Sequence, residues 1–295
     1  MKMNFIPLTI RTGARRRPIR WRAIVQSGLA HTLILVTAFA IGLPFFYMVT
    51  TSFKTLQEVY TVPIQWLPAN WNLENYVMAW NGVPMARFGL NSLIYTITIT
   101  LGEFLMGLLA GYAFGRLHFP KKDIIFFVVL LTLMIPGVIT LIPRFLMLRD
   151  LGWINTYQGL IVPELSSAFA TFLLRQHFQS LPDEIFDAAK MDGAGYLRQL
   201  FQVALPMSVP ITTTLLLLAF VAHWNEYLWP LIVTNTRDMR TLPIGIQTLK
   251  NLYSDVPLWN VANAGATMVV LPLIALFLVG QKRFFEGAVQ GALKG

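Results

Sequence analysis

Residues 180–206 read Ser180-Leu-Pro-Asp-Glu-Ile-Phe-Asp-Ala-Ala-Lys-Met-Asp-Gly-Ala-Gly195, then Tyr196-Leu-Arg-Gln-Leu-Phe-Gln-Val-Ala-Leu-Pro206. Ser180 and Asp183 have capping-box spacing and Pro182 suits a first helical turn, so a helix is predicted to start here. Gly193 follows Asp192 where that helix would close on a left-handed residue. A second amphipathic helix is predicted from Leu197, Leu200, Phe201 and Ala204, which recur at helical spacing opposite Arg198, Gln199 and Gln202. Leu205-Pro206 ends it. Ala188 and Ala189 leave the first helix thin enough for another protein to approach closely.

Both flanks of this polar stretch are long apolar runs. Of the 295 residues, 55% are hydrophobic and only 13% charged. A soluble domain carries about 25% charged residues. A hydrocarbon core of about 30 Å needs roughly 20 apolar residues per helical crossing. Such runs lie near Leu29–Thr50, Gly89–Gly115, Ile124–Pro143, Gln158–Phe178, Met207–Val233 and Ala262–Gly280. The reading is an all-α polytopic membrane protein with six transmembrane helices. Residues 180–206 then form a loop between the fourth and fifth crossings.

The basic residues set the orientation. With the amino terminus inside, the inner segments hold Lys2, Arg11, Arg15, Arg16, Arg17, Arg20, Arg22, Arg116, Lys121, Lys122, Arg175, Lys190, Arg198, Lys282, Arg283 and Lys294. The outer segments hold only Lys54, Arg87, Arg144, Arg149, Arg237, Arg240 and Lys250. The positive-inside rule therefore places both termini, and the 180–206 loop, in the cytoplasm. The net charge of +9 is explained by topology and calls for no nucleic-acid partner. The first run is read as a retained helix, being too long for a secretory signal and lacking a convincing cleavage site. The resulting division is a basic tail (1–28), a first helix and outer loop (29–84), a transmembrane domain (85–285) and a cytoplasmic tail (286–295).

Asp187-Ala188-Ala189, Asp192-Gly193-Ala194 and Leu205-Pro206 together resemble the Glu-Ala-Ala…Gly…Leu-Pro loop of binding-protein-dependent ABC importer permeases. One departure is Asp187, where that family usually has Glu; the charge is kept and the reach shortened. Three more stretches resemble the carbohydrate branch, specifically the maltose-type second permease subunit. They are Trp224-Asn-Glu-Tyr-Leu-Trp-Pro230, Thr241-Leu-Pro-Ile-Gly245 and the closing Gln281-Lys-Arg-Phe-Phe-Glu-Gly-Ala-Val-Gln-Gly-Ala-Leu-Lys-Gly295. The general resemblance covers roughly 85–285.

The resemblance implies the type I ABC importer permease fold in a bacterial inner membrane. It implies that loop 181–206 docks on a dimeric cytoplasmic ATPase, through Asp187, Ala188, Ala189, Asp192, Gly193 and Ala194. It also implies a second permease subunit, an extracytoplasmic solute-binding protein and a carbohydrate-like solute. ATP and Mg would sit on the ATPase, with no cofactor on this chain. The tail 286–295 would reach between the ATPase subunits.

Trp224, Asn225, Glu226 and Tyr227 admit two readings. Aromatic faces and polar groups suit a sugar path, while Trp and Tyr near a helix end also serve as interfacial anchors. Glu103, Glu164 and Glu226 fall inside apolar runs, where ionisable groups point by default to a transport path or proton relay. They support a rival reading, a proton- or ion-coupled secondary transporter, which leaves the 181–206 loop without a purpose. A break at Pro163 would give Glu164 access to water or protein donors. A membrane enzyme is a poorer fit. The chain has no cysteine, its four histidines are scattered, and it has neither a metalloprotease His-Glu-x-x-His nor a phosphate-binding loop. Gly102, Gly107 and Gly111 are candidates for close helix approach.

Overall fold

The computed structural model describes residues 21–250, 252 and 256–292. Residues 1–20 and 293–295 lie outside it, including most of the basic amino-terminal tail and the last three residues of the predicted carboxy-terminal tail. The described residues form helices and connecting turns, with no strand among them.

The chain divides into one compact unit up to Tyr47 and a second from Met48 onward. Helix α1, Trp21–Thr51, supplies the described part of the first unit, with Pro44 inside it. The second unit continues with α2 (Leu56–Tyr60), α3 (Glu74–Gly82), α4 (Met85–Arg116), α5 (Lys122–Leu133) and α6 (Gly137–Asp150). Next come α7 (Tyr157–Ile161), α8 (Ala168–Gln179), α9 (Asp183–Met191), α10 (Tyr196–Gln199) and α11 (Leu205–Met207). Helices α12 (Val209–Trp224), α13 (Leu228–Val233), α14 (Leu242–Leu249) and α15 (Trp259–Ala292) complete it.

Helix α4 is the spine of the second unit. Its amino-terminal end places Met85 and Phe88 in a core with Ala79, Trp224, Leu242, Leu249 and Val261. Its middle places Tyr95 and Ile99 against Leu148, Leu160, Trp229 and Val233. Its carboxy-terminal end places Leu108 and Tyr112 with Ala170, Leu174, Phe178, Phe186, Leu200 and Leu215. The predicted glycines explain how α8 comes so close. A Cβ at Gly107 would stand 2.8 Å from the Ala170 Cβ, and one at Gly111 2.8 Å from the Leu174 Cβ. This approach lies within the chain.

Of the six apolar runs, three are single helices long enough to cross a bilayer: Gly28–Thr51, Met85–Arg116 and Trp259–Gln281. The other three depart from straight crossings. Run 124–143 breaks at Met134–Pro136, and α5 and α6 meet at 96°; the residue before a proline leaves the helical region and Pro136 cannot donate a ladder bond. Run 158–178 splits into α7, a 3-10 turn at Val162–Glu164 that contains Pro163, and α8, restarted by the Ser167 hydroxyl accepting from Ala170 N at 3.2 Å. Run 207–233 is α12 followed by a break at Asn225–Tyr227 and the short α13. Mean hydropathy carried these runs through; the prolines and caps interrupt them.

Candidate functional site

The end of the second unit near Arg116 carries the loop that dominates the sequence. Helix α8 ends at Gln179 and α9 starts at Asp183. The expected capping box does not form. The Ser180 hydroxyl donates instead to His177 O at 2.8 Å and so closes α8. Pro182, extended at φ −61° and ψ 134°, precedes α9 and sets its entry angle. Asp183 and Glu184 then stand in the first turn, where carboxylates favour the positive end of the helix dipole.

The glycine turn forms as expected. Gly193 adopts φ +75°, with Gly193 N donating to Lys190 O and Ala194 N to Ala189 O, both at 2.9 Å. These are the paired bonds of a Schellman closure, which needs a left-handed residue at this place. The following amphipathic helix does not form as a single one. After α10, residues Leu200–Ala204 widen into a π-helical turn, and α11 continues through Pro206 to Met207. The wider turn rotates the buried face. Gln199, Leu200 and Ala204 are buried, while Leu197 and Phe201 are 65% and 45% exposed.

Helix α9 has a gripped inner face and an open outer one. Inward, Phe186 is buried beside Tyr112 and Phe178. The Arg116 guanidinium, at the end of α4, donates to the Asp183 carboxylate and to Leu181 O and lies 4.1 Å above the Phe186 ring. Outward, Asp187 and Ala188 are exposed and Met191 is 88% exposed. Asp187 accepts from Lys190 Nζ at 2.8 Å, and that bond holds the Lys190 ammonium above its ordinary pKa. Between α9 and the end of α4 lies a cleft of 490 Å³, lined by Tyr112, Arg116, His118, Asp183, Asp187 and Lys190 among others. Asp187, Ala188, Ala189, Asp192, Gly193 and Ala194 are thus gathered on one short helix and its closing turn.

Trp224, Asn225, Glu226 and Tyr227 sit at the far end of α12, whose 16 residues span about 24 Å. They do not act as one cluster. Trp224 is 2% exposed, stacks on Phe220 and donates Nε1–H to Val269 O at 3.1 Å; its indole is a packing element between α12 and α15. Asn225 donates back to Val221 O at 2.8 Å. Glu226 Oε1 accepts from Leu228 N and Trp229 N at 2.9 and 3.1 Å, which caps α13. Tyr227 is exposed.

Glu226 also lines a cavity of 270 Å³ with Gly137, Val138, Leu141, Arg144, Glu164, Leu228 and Trp229. Arg144 and Trp229 escaped the sequence reading. Arg144 donates to the Glu164 carboxylate and covers the Trp229 ring at 4.2 Å. The third carboxylate, Glu103, lies 3.2 Å from His223 Nε2. Each of the three acids within the apolar runs therefore has a partner in this chain. Only the adjacency of Pro163 to Glu164 hinted at this; a pairing across 20 residues leaves no local signal.

A family model described as "Binding-protein-dependent transport system inner membrane component" matches residues 103–285. The sn-glycerol-3-phosphate transport system permease protein UgpE of Brucella abortus (strain 2308) is 31% identical over 273 residues, 90% of this chain and 97% of that one. The protein of the same name from Escherichia coli is 31% identical over 266 residues, 88% and 95% of the two chains. Among solved structures, a chain of a bacterial ABC transporter involved in the import of the acidic polysaccharide alginate superposes with TM-score 0.79. It is 22% identical, covering 91% of this chain and all of that one. A chain of a bacterial alginate ABC transporter, in complex with an alginate pentasaccharide-bound periplasmic protein, gives 0.65 at 17% identity, covering 88% and 95%. At these identities the structures speak for the fold.

Proposed function

This chain belongs to the family of binding-protein-dependent transport system inner membrane components, and from that premise we propose that it forms half of a translocation path for a carbohydrate or related solute. Its loop 181–206 is the seat of a cytoplasmic ATPase dimer. ATP and Mg are bound and turned over on that partner. A second permease subunit completes the path, and a solute-binding protein delivers cargo from outside. The chain crosses the membrane six times, counting the broken runs as crossings, with both termini cytoplasmic.

One observation carries the docking assignment. Helix α9 is fixed on its inner face by Phe186 and Arg116, while its outer face presents small and charged side chains to solvent. The solute path runs past Glu226, with Arg144 and Glu164 beside it in the 270 Å³ cavity. The names of the relatives, glycerol 3-phosphate and alginate systems, support polyhydroxylated cargo. A proton-relay mechanism leaves the 181–206 loop without a purpose, and the family match gives that loop one.

Affinity purification of this chain from its own membranes tests the proposal. Recovery of an ATPase, a second permease and a solute-binding protein supports it. A chain that purifies alone and drives uptake that collapses with the proton gradient overturns it.

A further inference from the structure

We propose that the amino-terminal end of α4 carries a binding site for an anionic phospholipid. The phosphate lies between Arg87 and Arg237, and an acyl chain follows the groove that α4 forms with α15. The site is remote from loop 181–206 and does not depend on what docks there.

Two hollows meet here. One is a groove of 430 Å³ whose lining includes Leu90, Leu93, Trp224, Val269 and Pro272 and contains no ionisable side chain. The other, of 540 Å³, is lined by Asn81, Arg87 and Arg237 among others, with no acidic residue. Trp80, Met85 and Ala86 line both, so the apolar groove opens directly into the cationic pocket. The groove is shaped from below and left open above. The Trp224 indole, fixed by its bond to Val269 O at 3.1 Å, lines it as a buried side chain. At Gly89 a Cβ would meet nothing within 4 Å.

Depth and charge both fit a lipid. The 32 residues of α4 span about 48 Å against a hydrocarbon core of about 30 Å, so roughly 9 Å projects at each end of a centred helix. Arg87, in the first turn, then stands among headgroups, and Leu93, about 9 Å further along the axis, stands among acyl chains. The two arginines are held in place by the fold. Arg87 Nε donates to Asp238 O at 3.0 Å, and Asn91 Nδ2 to Asp238 O and Arg240 O at 2.8 Å. These bonds pin the 3-10 turn Arg237–Met239 to α4. Asp238 takes part through its carbonyl, and among the described residues no carboxylate pairs with either arginine. A phosphate between two such guanidiniums relieves their repulsion and accepts forked N–H donors from each. A partner helix would cover the apolar groove equally well but leaves its cationic mouth unused. An anionic amphiphile matches both halves, as basic pockets between membrane helices do elsewhere.

The complete importer in liposomes tests this with phosphatidylglycerol that carries a photoactivatable diazirine on one acyl chain. Phosphatidylcholine with the same chain is the comparison, and labelled residues are mapped by mass spectrometry. Phosphatidylglycerol should label the segments around Gly89–Leu93 and Met268–Pro272 in preference to phosphatidylcholine. Arg237→Gln should reduce that preference by about tenfold. Its side chain is exposed, so the fold should be unaffected. Gly89→Leu, which places a branched side chain in the open groove, should reduce labelling of both segments by either lipid.

Equal labelling of the two segments by both lipids overturns the proposal, as does an Arg237→Gln chain that keeps the full preference. Labelling confined to other spans of this chain means that protein covers the groove, and overturns it too. So does inorganic phosphate that erases the preference at matched ionic strength, since the pocket would then take a free anion.

Discussion

Gly193 is the residue on which the proposed docking turn closes, and its demands are conformational only. It stands at φ +75°, and nothing lies within 4 Å of where a Cβ would be. An L-residue in this region costs about 1–2 kcal/mol, with Asn the usual exception. Coupled ATP hydrolysis should therefore fall in the order Gly, Asn, Ala, Val at position 193. Gly193→Pro should abolish transport while leaving membrane insertion intact. Equal activity for Gly193→Val and the natural chain would remove the turn from the mechanism. The Arg144–Glu164 pair makes a second prediction at this scale. Both side chains are about three-quarters buried, so Arg144→Ala strands a carboxylate and should destabilise by about 1–3 kcal/mol. Adding Glu164→Gln should recover much of that loss, read as thermal stability in detergent. Additive losses would mean the two side chains act independently. The glycine and its turn were legible in the sequence because the Asp192-Gly193 signal is local. Arg144, Arg116 and Trp229 were not, because ion pairs and stacking depend on residues far apart in the chain.

At the scale of the element, small-residue spacing was legible and continuity was not. Gly102, Gly107 and Gly111 were readable as candidates for close helix approach; Gly107 and Gly111 meet α8, while Gly102 meets Leu165 ahead of it. Gly107→Leu should disrupt the α4–α8 contact and cost about 1–3 kcal/mol or more, since overpacking here meets Ala170 carbon and backbone atoms. Gly89→Ala, on the same helix with open space around its Cβ position, is the matched control and should be tolerated. Thermal unfolding of the two variants in one detergent checks the contrast. Equal stability of the two variants would mean that the close approach at Gly107 does not govern the α4–α8 packing. Breaks at Pro136 and Pro163 were written in the sequence too, but apolar averaging over about 20 residues hides a single proline. The capping misassignment at Ser180 has a similar cause. A serine between two helices can close the first or open the second, and geometry decides between them.

For the whole molecule, the apolar composition and the polar 180–206 loop were enough to indicate a helical membrane permease, and the family match agrees. What spacing could not supply is the organisation around α4, which draws three cores onto one helix. The proposed docking of α9 would reach Tyr95 and Phe88 through that helix. The orientation of the chain and the seat of the ATPase are the parts of the account with the most resting on them. Both can be read from two single-cysteine variants. In membranes holding the complete importer, Ala188→Cys bearing a short photo-crosslinker is compared with Asn235→Cys bearing the same reagent. Both sites are exposed, and they lie at opposite ends of the second unit. The account predicts an ATPase adduct from position 188 and none from position 235. An adduct from 235, or none from 188 while the ATPase is present, would contradict it.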